Sequence, residues 1–268
     1  MRKVFEDFFD REKLYIRAEI SAESLKIIQP HLMPENIKSA VIYLIPYYTG
    51  KHEDRNVSLY AVSRDYHFYA RSLNERLCSF AKEHFPDEEF YGFCDSSPIN
   101  DVSAAISAGL GVLGENRLLI NERYGSFVFI GSMLTTMAAE NPVNVPLKHC
   151  IRCGKCKKSC DFLCGKSHTC MSELNQRKQL TDDELALVRS RKIRWGCDIC
   201  QEVCPLNDDV EKTPIDFFYE EQIPQLTTEI LENMPKCAFK KRAYAWRGKK
   251  TILRNIENCD TSSNESQH

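Results

Sequence analysis

Apolar and polar positions alternate in blocks along the first half of the chain, and each block predicts an element. "AVIYLIPYY" (40–48) is an unbroken apolar run, rich in β-branched and aromatic residues, which predicts a buried strand. In "SRDYHFYARSLNERLCSFAKEHF" (63–85) the apolar residues recur with helical period, placing Tyr69, Leu73, Leu77 and Phe80 on one stripe. "FYGF" (90–93) reads as a strand, the serine- and proline-containing stretch 94–100 as a turn, and "DVSAAISAGL" (101–110) as a helix of small residues. After a glycine-rich loop, "SFVFIGSMLTT" (126–136) is a further strand. Strands alternating with helices predict a layered α/β (α+β) domain over 1–140.

A different texture follows. "NPVNVPL" (141–147) is a proline-punctuated junction, and a cysteine-rich module extends from there to 212. Within it "TDDELALVRSRK" predicts a helix, with Thr181 and Glu184 spaced as a capping box. The segment 213–268 is mixed and mainly helical, ending in a polar tail, "DTSSNESQH", expected to be loose.

Composition narrows the class. The chain has 268 residues, 43% of them hydrophobic, enough for two modest domains with real cores. A formal net charge of -2 does not point to a general polyanion binder and leaves room for a local basic face. The opening "MRKVFEDFFDREK" puts acids where a signal peptide needs its apolar stretch. No apolar run approaches the roughly 18 residues that span a bilayer. The expectation is a cytoplasmic protein with no membrane partner, whose 13 cysteines stay reduced and serve metal more than disulfides.

Those cysteines have ligand spacing. "CIRCGKCKKSC" supplies Cys150, Cys153, Cys156 and Cys160; "CDICQEVCP" supplies Cys197, Cys200 and Cys204 before Pro205. In two-cluster ferredoxins three thiolates of such a run hold one [4Fe–4S] cube and the fourth crosses to the other. By that logic Cys150, Cys153, Cys156 and Cys204 hold the first cube. Cys160, Cys197 and Cys200 hold the second, with Cys170 completing it. Asp161 follows Cys160 where proline is usual, and Cys164 is left over as an alternative to Cys160. Structural zinc and disulfides are the competing readings of paired C-x2-C motifs. Cys78, Cys94, Cys237 and Cys259 lack ligand spacing and read as core or surface thiols.

"GLGVLG" (109–114) satisfies G-x-G-x-x-G, but a helix precedes it and an extended piece and turn follow. That order is wrong for a dinucleotide site. The glycines instead predict a tight turn, or close approach to something large and flat.

Taken together, "SRDYH" (63–67), the turn Asp95-Ser96-Ser97-Pro98, "AGLGVLGENRLLINERYGSFVFIGSMLTT" (108–136), the cysteine module and "GKKTILRN" (248–255) resemble the epoxyqueuosine reductase family. The resemblance implies an N-terminal α/β domain holding cobalamin in its base-off form and a ferredoxin-like domain with two [4Fe–4S] clusters. It also implies an external electron donor, such as a flavodoxin or ferredoxin. The implied reaction reduces epoxyqueuosine at the tRNA wobble position to queuosine, with Asp95 as proton donor. An alkoxide left by an opened epoxide needs a nearby acid, and a carboxyl does this near neutral pH only if burial raises its pKa. Without the resemblance Asp95 reads as a turn-capping residue. Arg64, Tyr66, His67, Gly109 and Gly111 become cofactor or substrate contacts; without it, Arg64 and Asp65 are a surface pair and His67 a solvated side chain.

The chain also departs from the family pattern. Glu115 stands where lysine is common, Val112 replaces tryptophan, and Asp101 stands where glutamate is usual. Soon after "LRN" it stops, where typical members continue into a helical-repeat domain, so it reads as a short member. Between Lys236 and Arg254, "KCAFKKRAYAWRGKKTILR" has no acid and interleaves Phe239, Tyr244 and Trp246, a candidate tRNA contact. A helix with inward aromatics and solvated lysines is the alternative. Two other functions fit the same motifs: a family reductase acting on a different small molecule, and an iron–sulfur electron-transfer or redox-sensing protein without cobalamin.

Overall fold

The computed structural model describes residues 2–260. The chain divides into two compact units. The first comprises residues 1–48, 67–153 and 206–215, and the second 49–66, 154–205 and 216–268. The units are thus discontinuous, whereas the sequence suggests consecutive segments breaking at 140 and 212.

The first unit is built on a four-stranded sheet. Its strands are β1 (Arg17–Ser21), β2 (Ser39–Pro46), β3 (Phe90–Cys94) and β6 (Val128–Thr135), in the order β1-β2-β6-β3. Every pairing is antiparallel, with Tyr43 opposite Gly131 and Cys94 opposite Gly131 on the other side. Strand β2 is buried along its whole length, as a continuous apolar run requires when both faces are covered. On one face Ala40, Ile42 and Leu44 meet Ala104, Ala105 and Ile106 of α3 (Asp101–Ser107).

The other face receives α1 (Lys3–Arg11) and α2 (Tyr66–His84). Phe9 of α1 lies 5.1 Å from the Tyr43 ring, and Phe8 lies 5.1 Å from Phe80 of α2. The buried stripe of α2 is Tyr66, Ala70, Leu73, Leu77 and Ala81. Tyr69 and Phe80, expected on that stripe, flank it half-buried. A short hairpin of β4 (Val112–Leu113) and β5 (Leu119–Ile120) completes the unit.

The second unit is helical: α4 (Lys155–Ser159), α5 (Met171–Leu174), α6 (Asp182–Ser190), α7 (Ile199–Glu202), α8 (Thr228–Asn233), α9 (Lys236–Lys240) and α10 (Lys249–Asp260). The capping box of α6 is formed: the Thr181 hydroxyl accepts from Glu184 N–H, and the Glu184 carboxylate from Thr181 N–H. The core surrounds Trp195, which is fully buried among Val57, Leu231, Tyr244 and Ile252. Its indole N–H donates to the Tyr60 hydroxyl at 2.9 Å. Burying one aromatic of this size contributes about 3 kcal/mol, which is why 49–66 belongs with this unit. The tail beyond 260 and the Cys259 side chain, both subjects of sequence expectations, lie outside the described residues.

Candidate functional site

In the first unit the site grows from the end of β3. Asp95, the next residue, has φ 67, a left-handed conformation that side chains other than glycine seldom adopt. The turn is held open by its surroundings. Ser97 N–H donates to the Asp95 carbonyl at 2.8 Å, and the Pro98 carbonyl accepts from Ile28 and Gln29 N–H at 2.9 and 3.0 Å. The Gln29 amide donates to the Ser97 carbonyl at 3.1 Å, while Asn100 caps α3 by accepting from Ser103 N–H at 2.8 Å.

This frame presents the Asp95 carboxylate half-exposed. Its Oδ2 lies 3.5 Å from His67 Nε2, near the start of α2. Beside the pair is a cavity of about 420 Å³ lined by His67, Arg71, Asn74, Glu75, Cys78 and Cys94. Its floor depends on two glycines. A Cβ on Gly92 would stand 2.7 Å from Asn74, and Gly131 leaves room for the Tyr43 ring, whose hydroxyl donates to Asn74 Oδ1. Burial pushes the Cys78 and Cys94 thiols up to about 11 and about 12, so both are neutral packing groups. Asp101 is different: burial pushes its carboxyl up to about 7, with a Ser97 hydrogen bond opposing and the Asp95 charge adding to the rise.

The glycine block lies elsewhere in this unit. Gly109, at φ 73, ends α3, and the chain then enters β4, so the strand and helix of a dinucleotide fold are on the wrong sides. A Cβ on Gly111 would fall 2.6 Å from the Ile120 carbonyl, so hairpin packing alone demands glycine there. Both glycines line a second cavity, of about 510 Å³, with Asn121, Lys148, His149 and Cys150.

Arg64 and Tyr66 fall in the second unit. The Arg64 guanidinium pairs with Glu220, lies 3.6 Å from Glu221 and sits 4.5 Å over the Phe217 ring. Tyr66 is buried, edge-on to Tyr60. Both are held by packing as well as being candidates for contact.

The second unit gathers four of the thiols. Helices α4 and α7 pack together, Cys160 caps the C-terminus of α4, Cys170 precedes α5, and Cys197 and Cys200 flank the start of α7. Burial pushes Cys197 and Cys200 up to about 12, and each is raised further by Cys160 and Cys170. These residues, up to forty positions apart in sequence, are therefore near enough to repel as thiolates. Cys164 is exposed and directs its thiol to the Asp161 carbonyl at 3.4 Å; Asp161, in the place of the usual proline, pairs with Arg191 at 2.8 Å. Among the described residues no three His, Cys, Asp or Glu side chains are gathered as tightly as one metal ion requires. Cys150 and Cys153 belong to the first unit, Cys156 and Cys204 to the second.

Asp198, inside the C-x2-C motif, escaped the sequence reading. It is buried and accepts from Arg55 Nη1 at 2.7 Å, Ser58 Oγ at 2.5 Å, Leu59 N–H at 2.7 Å and Gln201 Nε2 at 2.9 Å. A fully bonded buried carboxylate fixes the loop between the two cysteines. Its only sequence signal was its position between them.

The basic segment is partly core. Arg242 is buried, its guanidinium donating to the Glu221 carbonyl at 2.6 Å and the Ser63 carbonyl at 3.3 Å, and Phe239 and Tyr244 are buried beside it. Trp246 is 61% exposed, with Arg247 4.0 Å above its ring.

A family profile described as "Epoxyqueuosine reductase QueG, DUF1730" matches residues 28–96. Epoxyqueuosine reductase of Listeria monocytogenes is 31% identical over 258 residues, covering 85% of this chain and 66% of that protein. The chain belongs to the epoxyqueuosine reductase family. The Staphylococcus aureus relative is 33% identical over 202 residues, covering 72% of this chain and 53% of its own length. The chain thus spans from about half to just under two thirds of these curated relatives. In fold it is similar to an epoxyqueuosine reductase solved with an epoxyqueuosine-modified tRNA-Tyr stem loop, with TM-score 0.80 and 22% identity over 96% of this chain and 81% of that one. The mixed α/β architecture is that of the family. No helix among the described residues is long and apolar enough to cross a membrane.

Proposed function

We propose that the protein is a cobalamin- and iron–sulfur-dependent reductase that converts epoxyqueuosine to queuosine at the wobble position of tRNA. Overall the epoxide takes up two electrons and two protons, and leaves an alkene and water. The observation that carries this reading is Asp95, held in a left-handed turn with its carboxyl half-exposed 3.5 Å from His67. Opening the epoxide leaves an alkoxide, and the carboxyl beside it can hand over one proton. His67, 3.5 Å away, then orients the resulting carboxylate.

The cofactors are assigned by donor chemistry. Cys160, Cys170, Cys197 and Cys200 would hold one [4Fe–4S] cluster and Cys150, Cys153, Cys156 and Cys204 the other. The support is the ligand spacing of these cysteines, matched to the thiolate ligation of two-cluster ferredoxins. Cobalamin, when bound, would supply a low-potential electron source for the reduction. Gly109 and Gly111, which line a cavity with Lys148 and His149, are assigned to it as contacts. Arg64, Tyr66 and His67 are assigned to the same cofactor or to substrate. A flavodoxin or ferredoxin would supply the electrons.

The test is anaerobic turnover of epoxyqueuosine-containing tRNA by reconstituted wild type and Asp95→Asn. A loss of about 10²–10⁴-fold is expected; equal rates would remove Asp95 from the reaction. A second reading, reduction of a different small molecule, is favoured by the burial of Arg242, Phe239 and Tyr244, which shrinks the basic surface available to RNA. Competition by unmodified tRNA separates the two, since it slows only an RNA-binding enzyme.

A further inference from the structure

Two acids stand on either side of Cys200, Asp198 before it and Glu202 after it. Both pair with one cation. Arg55 Nη1 donates to Asp198 Oδ2 at 2.7 Å, and Arg55 Nη2 donates to the Glu202 carboxylate. The Asp198 side chain is 1% exposed and that of Arg55 11%, whereas Glu202 is half-exposed.

Backbone contacts hold the guanidinium against this loop. Segment 55–59 runs beside 194–198: the Asn56 carbonyl accepts from Arg194 N–H at 2.6 Å, and Ser58 N–H donates to the Trp195 carbonyl at 2.7 Å. Arg55 Nη1 also donates to the Val57 carbonyl at 2.5 Å. The three other donors to Asp198 are neutral: the Ser58 hydroxyl, the Leu59 N–H and the Gln201 amide. Of its four donors, Arg55 supplies the charge. A buried ion pair is often no more stabilising than apolar side chains of the same volume. Stability alone therefore does not account for this pair between two candidate ligands.

Reduction adds an electron to a cluster already ringed by thiolates, and net charge is one of the factors that set its potential. We propose that Arg55 is the counter-charge of the ligand loop. By balancing Asp198 and Glu202, it keeps the cluster held through Cys197 and Cys200 within reach of its electron donor. Arg55 acts through the charge and geometry of the loop, so it is a positioning residue. The inference rests on the reading of Cys197 and Cys200 as [4Fe–4S] ligands.

The experiment is a reductive titration of anaerobically reconstituted protein with dithionite, one electron entering each cluster, followed by electron paramagnetic resonance. Two substitutions that break the same ion pair should shift the potential in opposite directions, down in Arg55→Gln and up in Asp198→Asn. Each shift should change the ratio of reduced to oxidised cluster about tenfold at a fixed potential, about 59 mV for one electron. Glu202→Gln should shift it upward by less, because solvent screens a half-exposed charge. Arg55→Lys should stay near wild type, and combining Arg55→Gln with Asp198→Asn should return toward it. A clamp that only holds the loop in shape would not give shifts of opposite sign. Shifts of one sign, or unmoved potentials in Asp198→Asn and Glu202→Gln, overturn the inference; these two variants decide it if Arg55→Gln fails to retain iron. Wild type without iron removes the cluster reading and this inference together, whereas iron-replete wild type with unmoved variants removes this inference alone.

Discussion

Replacing Asn255 by leucine should destabilise the second unit through a clamp at the cysteine module. Asn255, on α10, is fully buried, and its Nδ2 donates to the Asn175 carbonyl at 2.6 Å and the Arg194 carbonyl at 2.8 Å. Asn175 continues the chain of bonds, donating to the Gly196 carbonyl at 2.7 Å and accepting from Gly196 N–H at 3.1 Å. The residues so tied immediately precede Cys197. Leucine fills a similar volume but leaves two buried carbonyls each missing a donor. At about 1–2 kcal/mol for each, the expected loss is about 2–4 kcal/mol. Urea unfolding of metal-free, reduced protein measures it, with fluorescence of Trp195, adjacent to the clamp, as one reporter. Because either asparagine secures the same segment, adding Asn175→Ala should cost less than its effect in wild type. A loss under about 0.5 kcal/mol, the range of ordinary surface changes, or strict additivity of the two substitutions, would refute the clamp.

Iron analysis of anaerobic protein should give about eight atoms per chain, falling to about four in Cys160→Ser and staying near eight in Cys164→Ser; the reverse order would exchange the two ligands. Asp101 should also mark the pH dependence of folding. Its native pKa of about 7 lies above the ordinary aspartate value of 3.8, so its contribution is fully present below pH 3.8 and is lost as pH rises through 7. Asp101→Asn should therefore be more stable than wild type at pH 8, by up to about 4 kcal/mol, with the advantage disappearing near pH 4; melting curves that differ equally at both pH values would contradict this. For RNA, Lys236→Glu, Lys240→Glu and Trp246→Ala should weaken binding, each lysine change lowering the salt slope by about one. Arg242→Glu should instead unfold the protein, because it leaves the Glu221 and Ser63 carbonyls without their donor. RNA affinity unchanged by the three surface substitutions would remove this face as a contact.

How far the sequence leads depends on the range of the interaction that sets each feature. The strand at 39–46 and the capping box of α6 were legible because neighbouring residues decide them. The C-x2-C spacings are local features of the same kind. The stripe of α2 was misplaced because hydrophobicity favours the rings of Tyr69 and Phe80, whereas close packing selects Ala70 and Ala81. Helix α1 and strand β1 were overlooked: "KVFEDFFDR" mixes charges among its buried phenylalanines, and "RAEIS" is a short, polar edge strand. The membership of 49–66 in the second unit has no compositional mark, since it depends on Trp195 meeting Tyr60 and Asp198 meeting Ser58 and Leu59, some 140 residues along the chain. Asp101 illustrates the same division within the candidate site. Its residue type and its place at the start of a helix are local, and both favour an ionised side chain. Its affinity for a proton is set instead by strands from distant parts of the chain that pack on α3 without a single cation. The departure of Asp101 from the family pattern was visible in the sequence, but its chemical meaning emerged only from what surrounds it.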